Sequence, residues 1–262
     1  MSGKLFIVGL GPGGQEHMTL RARQALQESE VVVGYKTYLR HIQELVKDKE
    51  VLASGMTKEM DRAWTAIQAA RQGRVTALVS GGDPGIYAMA PVVFELLHDK
   101  GIVPGPDGLA VEVVPGVPAV AAAGAFLGAP LSHDFACISL SDRLTPWEVI
   151  EKRLLAAAGA DFVIALYNPK SKGRDWQLGR ALEIIAGHRA AQTPVGVVRA
   201  AMRADQSVRL CTLATAASAP VDMATILIIG NSNSFTFQDV MVTPRGYLAK
   251  YGSPGGEEVG DE

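Results

Sequence analysis

One short loop constrains the fold of this chain more than any other stretch. Ser80-Gly81-Gly82-Asp83-Pro84-Gly85 follows the apolar run 75–79, which predicts a buried strand, and precedes residues 88–98, which predict a helix. Three glycines and a proline leave almost no side chain on this loop, so backbone amides and carbonyls can approach a ligand closely. A strand-to-helix turn without a ligand has the same local pattern. A second loop of similar character favours a small-molecule site.

That second loop, Gly9-Leu10-Gly11-Pro12-Gly13-Gly14, lies between a predicted strand at 5–8 and a predicted helix at 18–28. Its glycine spacing matches the dinucleotide-binding fingerprint, so a nicotinamide or flavin oxidoreductase is one alternative. The next predicted strand, 31–33, ends in Gly34-Tyr35-Lys36, without the acidic residue that would bind a ribose hydroxyl. Pro12 also removes an amide that could bind phosphate. Both features argue against that alternative.

Strands and helices alternate through the first half of the chain. Further apolar and helical patterns predict a strand at 111–114 and helices at 37–52 and 58–72. This order is typical of an α/β fold with a mostly parallel sheet of about five strands. Beyond Gly116, predicted strands at 195–198, 207–212 and 225–229, with little helix between the first two, indicate a mixed sheet with a hairpin. We therefore predict two α/β domains, 1–115 and 116–250, and a disordered Gly-rich acidic tail, 251–262.

Composition excludes several classes of protein. A chain of 262 residues with 48% hydrophobic content can bury a sizeable core. A net charge of -2 provides no general attraction to nucleic acid or to an anionic membrane, so we expect neither as a partner. Cys137 and Cys211 lie far apart in apolar contexts, which predicts core thiols in a reducing compartment. Without a signal-peptide pattern or a bilayer-length apolar stretch, the expected location is the cytoplasm.

Several segments, in this order, carry a resemblance over nearly the whole chain. They are GLGPGG, SGGDPGIY, PGVPAVAAAGAFLGAPL, SLSD, ALYNPKS and GNSNSF. Together they resemble the tetrapyrrole methylases, which transfer a methyl group from S-adenosylmethionine. Within that family, YKTYL at 35–39, SLSDRLTPWEVIEKRL at 139–154 and ALYNPKSKGR at 165–174 are similar to the precorrin-3B C17-methyltransferases of cobalamin biosynthesis.

The resemblance implies a fold, a cofactor and a set of contacts. The fold is the two-domain class III methyltransferase fold, with a mostly parallel N-terminal sheet, a mixed C-terminal sheet, the cofactor in a cleft between them and usually a homodimer. The implied cofactor-binding residues are Gly11, Pro12, Gly81, Gly82, Asp83, Ile86, Pro118, Ala119, Tyr167, Asn168, Arg199, Ala200, Ala224 and Thr225. Pro118 stands where many relatives have threonine, so any hydroxyl contact made there by relatives is absent.

The residue inventory agrees with methyl transfer. Attack of a ring carbon on a sulfonium methyl needs proximity, alignment and exclusion of water more than it needs a strong base. No metal or Ser/His/Asp constellation is required, and none is evident in the sequence. The carboxylates of a tetrapyrrole substrate should be held by cations, since such bonds are charge-assisted. The candidates by loop position are Lys36, Arg40, Arg143, Lys170, Lys172, Arg174 and Arg203.

Ring contraction, which accompanies C17 methylation in this subgroup, should need proton transfer by a positioned group. The polar candidates nearest the motif loops are Asp83, Tyr87, His133 and Asp142. We expect Asp83 to order its own turn or bind the cofactor. His133 could equally be a proton donor or a structural histidine, so the catalytic residue stays unassigned.

Other functions within the same fold stay open. They are methylation at C20 or C11 of a precorrin, C17 methylation of the cobalt-bound substrate of the anaerobic route, a diphthamide-type protein methylase and a ribosomal RNA ribose methylase. The RNA enzyme would need a basic, aromatic-bearing surface, which the charge balance does not favour.

Overall fold

A computed structural model describes residues 3–171 and 173–254. By its internal contacts the chain divides into two compact units. The first unit comprises Met1–Ala123 and Ala200–Ser207, and the second comprises Gly124–Arg199 and Val208–Glu262. The predicted domain boundary at Gly116 stays a prediction. Of the predicted tail, only residues 251–254 are described, and the rest lies outside the described residues.

The first unit is built on a five-stranded sheet in which every pairing is parallel. Its strands are β1 (Lys4–Gly9), β2 (Val31–Tyr35), β3 (Glu50–Ser54), β4 (Val75–Ser80) and β5 (Ala110–Val114), in the order β3-β2-β4-β1-β5. The helices that begin in this unit are α1 (Leu20–Glu28), α2 (Lys36–His41), α3 (Glu59–Arg71), α4 (Met89–Asp99) and α5 (Ala119–Leu127). The predicted parallel α/β sheet is therefore confirmed.

Helices cover both faces of this sheet, which explains why its strands read as continuous apolar runs. Leu5 and Ile7 of β1 pack into a core shared with α3 and α4. Phe6 and Val8, which point to the opposite face, pack into a core shared with α1 and α2.

The helix predicted over 37–52 is wrong. Helix α2 ends at His41, a 3-10 turn follows at Gln43–Leu45, and residues 50–54 form β3. The apolar spacing of Leu39, Ile42 and Val46 is helical, and all three are buried in one core. Residues 50–54 instead pair along β2, so a contact distant in sequence overrides the local pattern.

The second unit is built on a mixed five-stranded sheet, as predicted. Its strands are β7 (Phe135–Ser139), β8 (Val163–Tyr167), β9 (Pro194–Arg199), β10 (Ser207–Thr212) and β11 (Thr225–Ile229), in the order β10-β9-β11-β8-β7. Strands β7 and β8 are parallel, whereas β11 is antiparallel to both β8 and β9. Helices α6 (Trp147–Gly159) and α7 (Gln177–Ala186) pack on one face, where Ile164, Val197 and Leu227 are buried.

A smaller sheet in the second unit was not predicted from the sequence. It contains β6 (Gly128–Ala129), β12 (Phe235–Phe237) and β13 (Val240–Val242), in the order β12-β13-β6. Strands of two or three residues are too short to show a hydrophobic period. The chain continues into α8 (Tyr247–Tyr251). No helix in the described part of the chain is long and apolar enough to span a bilayer.

Candidate functional site

Three loops of the first unit meet at the carboxyl edge of its sheet. They follow β1, β4 and β5, and β1 lies between the other two strands. Because parallel strands end at the same edge, the loops become neighbours there. The amide of Gly11 donates to the carbonyl of Gly82 at 3.1 Å, and the amide of Gly82 donates back to the carbonyl of Gly11 at 2.7 Å. The two glycine loops identified in the sequence therefore form one structure.

Glycine is required at this junction for two reasons. Gly11 and Gly82 have φ angles of 77° and 65°, in the left-handed region. At Gly116 a Cβ atom would lie 2.2 Å from the carbonyl oxygen of Gly82 and 2.9 Å from backbone atoms of Gly9. The backbones thus approach to distances that no side chain allows.

The carboxylate of Asp83 connects two of these loops. Its Oδ1 accepts a hydrogen bond from the amide of Gly85 at 2.8 Å, and its Oδ2 accepts one from the amide of Gly116 at 3.1 Å. The expectation that Asp83 orders its own turn agrees with these bonds. Ile86 and Tyr87 follow in exposed positions, and Tyr87 has a φ of 52°.

Pro118 and Ala119 lie against Gly82. A Cβ atom on Gly82 would be 3.8 Å from the Cα of Pro118 and 3.9 Å from the amide nitrogen of Ala119. The carbonyl of Pro118 accepts a hydrogen bond from the amide of Ala122, and this bond closes the first turn of α5. The loops after β1, β4 and β5, together with the first residue of α5, therefore include eight of the residues predicted to bind the cofactor, namely Gly11, Pro12, Gly81, Gly82, Asp83, Ile86, Pro118 and Ala119.

A segment distant in sequence, Ala200–Ser207, completes the first unit around Pro12. Nε of Arg203 donates to the carbonyl of Pro12 at 2.8 Å, and the amide of Gly14 donates to the carbonyl of Met202 at 3.0 Å. Ala200, a predicted cofactor contact, is buried in the left-handed conformation with a φ of 49°. Arg203, proposed from the sequence as a substrate-holding cation, thus uses Nε to hold a loop of its own chain.

Tyr38 was not identified by sequence reasoning as part of this site. A Cβ atom on Gly81 would lie 2.8 Å from Cε1 of the Tyr38 ring, so the ring packs against the glycine loop. Burial raises the pKa of Tyr38, and the nearby charge of Arg203 opposes that effect. The aromatic spacing of Tyr35 and Tyr38, whose rings meet edge to face at 5.5 Å, is the signal that could have indicated it.

In the second unit, the remaining predicted cofactor residues gather at one edge of the mixed sheet. Tyr167 and Asn168 end and follow β8, which is antiparallel to β11. Thr225 begins β11 and pairs with Arg199, the last residue of β9. The antiparallel register therefore places the end of β8, the end of β9 and the start of β11, with Ala224 just before it, side by side.

Asp222 organises part of this edge and was missed from the sequence. Its carboxylate accepts hydrogen bonds from Nε of Arg199 at 2.7 Å, Oγ1 of Thr225 at 2.9 Å and the amide of Ala224 at 2.9 Å. Burial alone would raise the pKa of Asp222, but the hydrogen bonds, led by that from Arg199, outweigh burial and lower it. The short spacing Asp-x-x-Thr is typical of a turn capped by a side chain, and it could have identified Asp222 from the sequence.

Asn168 adopts a left-handed conformation with a φ of 51°. Its Nδ2 donates to Oγ of Ser139, at the end of the parallel neighbour β7, at 3.0 Å. Non-glycine residues in this region are uncommon and cluster at functional sites. Asparagine adopts this conformation more readily than most residues, and Tyr87 and Ala200 share it, as do Thr57, Asp161, Met202 and Gln238.

His133 does not lie at this edge. It precedes β7, whereas Ser139 ends that strand, so the two residues stand at opposite ends of the sheet. The side chain of His133 is 44% exposed, and its Nδ1 accepts a hydrogen bond from the amide of Asp134. A role for His133 in proton transfer stays a prediction that this placement does not favour.

Among the substrate-holding cations expected from the sequence, Arg174 requires correction. It is only 6% exposed, and its guanidinium donates to backbone carbonyls of its own chain. Lys36, Arg40, Arg143 and Lys170 are exposed, and Lys172 lies outside the described residues.

Asp142 accepts a hydrogen bond from Nε2 of the buried Gln177 at 2.8 Å. Within the described residues no cluster of His, Cys, Asp or Glu could hold a metal ion.

Comparisons with known proteins agree on a family. Residues 4–217 match the model of the Tetrapyrrole (Corrin/Porphyrin) Methylases. A Salmonella typhimurium protein named probable cobalt-factor III C(17)-methyltransferase is 47% identical over 93% of this chain and 99% of its own. A Sinorhizobium sp. protein named precorrin-3B C(17)-methyltransferase is 44% identical over 94% of this chain and 98% of its own.

Two further comparisons concern length and fold. The cobalt-factor III methyltransferase of Priestia megaterium is 46% identical over 96% of this chain, but the chain spans only 46% of that protein. The crystal structure of the methyltransferase CobJ superposes with a TM-score of 0.85 at 36% identity, covering 93% of this chain and all of the other. Because the family model matches most of the chain and full-length relatives align along their whole length, the chain belongs to the tetrapyrrole (corrin/porphyrin) methylase family.

Proposed function

We propose that this chain transfers a methyl group from S-adenosylmethionine to C17 of a precorrin-3-type macrocycle, in a reaction coupled to ring contraction during cobalamin biosynthesis. The observation that carries the proposal is the identity of 47% with the Salmonella typhimurium C(17)-methyltransferase, which extends over 99% of that protein. The CobJ structure supports the same reaction class through its fold and 36% identity.

The glycine junction of the first unit fits the cofactor. Members of this family use S-adenosylmethionine, whose sulfonium carries the methyl group that is transferred. The amides of Gly11 and Gly82 are used between the two loops, so what the junction offers the cofactor is carbonyl oxygens, each able to accept a second hydrogen bond, with little side-chain bulk around them. In our proposal Pro12, Gly81, Gly82 and Ile86 of this unit, and Tyr167, Asn168 and Thr225 of the second, contact the cofactor.

The role of these residues is binding and orientation. Methyl transfer requires the donor and the acceptor carbon to be held in line with water excluded, and loops fixed by backbone hydrogen bonds supply such preorganisation. Asp83 fixes the loop after β4 to the loop after β5. The exposed cations Lys36, Arg40, Arg143 and Lys170 remain our candidates for the substrate carboxylates.

Cobalt-factor III is a second candidate substrate. The relatives from Salmonella typhimurium and Priestia megaterium carry that name, whereas the Sinorhizobium relative carries the name of the metal-free precorrin. Their identities to this chain, 47%, 46% and 44%, are too similar to choose between the two. Cobalt would enter as part of the substrate.

Calorimetry with S-adenosylmethionine and S-adenosylhomocysteine, followed by mass and NMR analysis of the product, tests the proposal. We expect micromolar binding and a methylated, ring-contracted product from precorrin-3B or from cobalt-factor III. Binding without that product would move the reaction to another ring carbon. Binding of a nicotinamide cofactor in place of both ligands would overturn the methylase assignment. Gly82→Arg, which places a large side chain at the junction, should abolish binding without unfolding the protein.

We also propose a homodimer in the cytoplasm. The exposed rings of Phe235 and Phe237 point to one side of β12, which is the outer strand of its small sheet. Exposed apolar side chains on an edge strand are typical of an interaction surface. Light scattering of the purified protein would test the dimer, and a monomeric mass at micromolar concentration would refute it.

A further inference from the structure

A buried arginine links the two parallel strand ends of the second unit. Nη1 of Arg174 donates to the carbonyl of Leu140 at 3.0 Å and to the carbonyl of Asn168 at 2.5 Å. Leu140 follows β7 and Asn168 follows β8, and these strands are parallel neighbours. Nη2 lies 3.8 Å from Sδ of Met223. One guanidinium therefore holds the backbone of both loops.

The arrangement is costly, which argues for a specific role. Taking a guanidinium out of water is unfavourable, and an apolar side chain of similar size would often be at least as stabilising. Burial lowers the pKa of Arg174, and the charge of Asp142 offsets part of that effect. One of the carbonyls that Arg174 holds belongs to Asn168, whose φ of 51° is left-handed, a conformation that asparagine adopts more readily than most residues but that its surroundings must select.

We propose that Arg174 is a positioning residue for the cofactor, which acts by holding Asn168 in its left-handed conformation at the end of β8. Arg174 touches the backbone of Asn168, and the side chain of Asn168 is thereby directed to Oγ of Ser139 at 3.0 Å. The inference rests on the proposed function, in which Asn168 contacts S-adenosylmethionine.

The second unit contains a second buried arginine that serves as a control and differs from Arg174 in an ion pair of its Nη1 with Asp161 at 3.2 Å. Arg189 is also buried, at 9% exposure, and it also donates to backbone carbonyls. Its Nη1 bonds Ala158 at 2.7 Å and its Nη2 bonds Phe162 at 3.0 Å. Phe162 precedes β8, so Arg189 stabilises the opposite edge of the same sheet. If an arginine at either edge has only a structural role, its substitution should lower stability and leave cofactor affinity unchanged.

The experiment compares Arg174→Lys with Arg189→Lys. Thermal unfolding measures the loss of stability in each, and calorimetry measures the Kd for S-adenosylhomocysteine. We expect both variants to lose stability, while only Arg174→Lys weakens binding, by about tenfold to a hundredfold, with Arg189→Lys within about twofold of the wild type. In turnover assays Arg174→Lys should raise the KM for S-adenosylmethionine more than it lowers kcat. Equal affinities in the two variants would overturn the inference.

A second variant tests the route through Asn168. Asn168→Ala should also weaken S-adenosylhomocysteine binding at least about tenfold, and the double variant with Arg174→Lys should bind no more weakly than Asn168→Ala alone. Additive losses would refute a shared route. Wild-type affinity in Asn168→Ala would overturn the inference even if Arg174→Lys failed to fold. Failure of the wild-type protein to bind either ligand would instead refute the proposed function, and the inference with it.

Discussion

Removal of the Asp83 carboxylate tests how the candidate site is held together. The amides of Gly85 and Gly116 donate to the Asp83 carboxylate at 2.8 and 3.1 Å, and Asp83→Ala leaves both without that acceptor. A hydrogen bond to a charged group contributes about 1.5–3 kcal/mol to stability. The two bonds share one partly buried side chain and are not additive, so we expect a local loss of about 2–4 kcal/mol.

Asp83→Asn should have a smaller effect. The carboxamide has one acceptor oxygen, so it can keep one of the two bonds while its NH2 group faces the other amide. We expect about half of the loss seen for Asp83→Ala. Asp107→Ala, at an exposed turn of the same unit, controls for the loss of one negative charge.

Amide hydrogen exchange, followed by NMR, measures this local loss of stability at the amides of Gly85 and Gly116. A local loss of 2 kcal/mol corresponds to about 30-fold faster exchange, since about 1.4 kcal/mol is a factor of ten. S-adenosylhomocysteine affinity should fall along with protection at Gly116. Unchanged exchange at Gly85 and Gly116 in Asp83→Ala would refute the reasoning. Wild-type exchange and affinity in Asp83→Asn, with methyl transfer abolished, would make Asp83 a proton-transfer residue instead.

Three further predictions follow from the packing and the charges. Gly116→Ala should lower the melting temperature and abolish S-adenosylhomocysteine binding, because its Cβ would lie 2.2 Å from the carbonyl oxygen of Gly82; a wild-type melting temperature would contradict this packing. Gly179 lies inside α7, and no described heavy atom lies within 4 Å of a Cβ added there. Gly179→Ala should therefore raise the free energy of unfolding, measured by denaturant titration, by about 0.5–1 kcal/mol. Calorimetry should show unchanged S-adenosylhomocysteine binding. The hydrogen bond from Arg21, together with Lys4, holds the pKa of Glu112 at about 2, below its ordinary 4.5. The ionised Glu112 carboxylate therefore stabilises the folded protein fully above about pH 4.5, and this contribution is lost as the pH falls towards 2. Urea titrations should show Glu112→Gln to be less stable than the wild type by about 1–2 kcal/mol at pH 6, after solvent screening, with the difference narrowing at pH 3; a pH-independent difference would disprove the linkage.

Local sequence was sufficient where an element's pattern and its packing agree. The strands at 207–212 and 225–229 were predicted with the bounds that the structure shows. In the parallel sheet of the first unit, continuous apolar runs reflect burial on both faces. The same logic failed at β3, because the pairing of residues 50–54 with β2 is not encoded in their own periodicity.

For the candidate site, the sequence identified loops but not their partners. Glycine-rich turns at strand ends predicted where the backbone is accessible, and the resemblance to a family implied which residues contact the cofactor. Asp222 and Tyr38 were missed, and the role of Arg174 was predicted wrongly, as a cation for the substrate, although it is buried. Each acts through contacts with residues distant in sequence, such as Arg174 with Leu140, 34 positions away.

The sequence by itself determined the α/β class, the parallel first sheet, the mixed second sheet and the two glycine loops, because hydrophobic period and turn chemistry act over a few neighbouring residues. Only the tertiary structure decided that Ala200–Ser207 joins the first unit at Pro12, and that Arg174 serves two backbone carbonyls at the ends of β7 and β8. A side chain's hydrogen-bond partners are set by which strand ends become neighbours in the folded sheet. That adjacency follows from strand order, which no local pattern records.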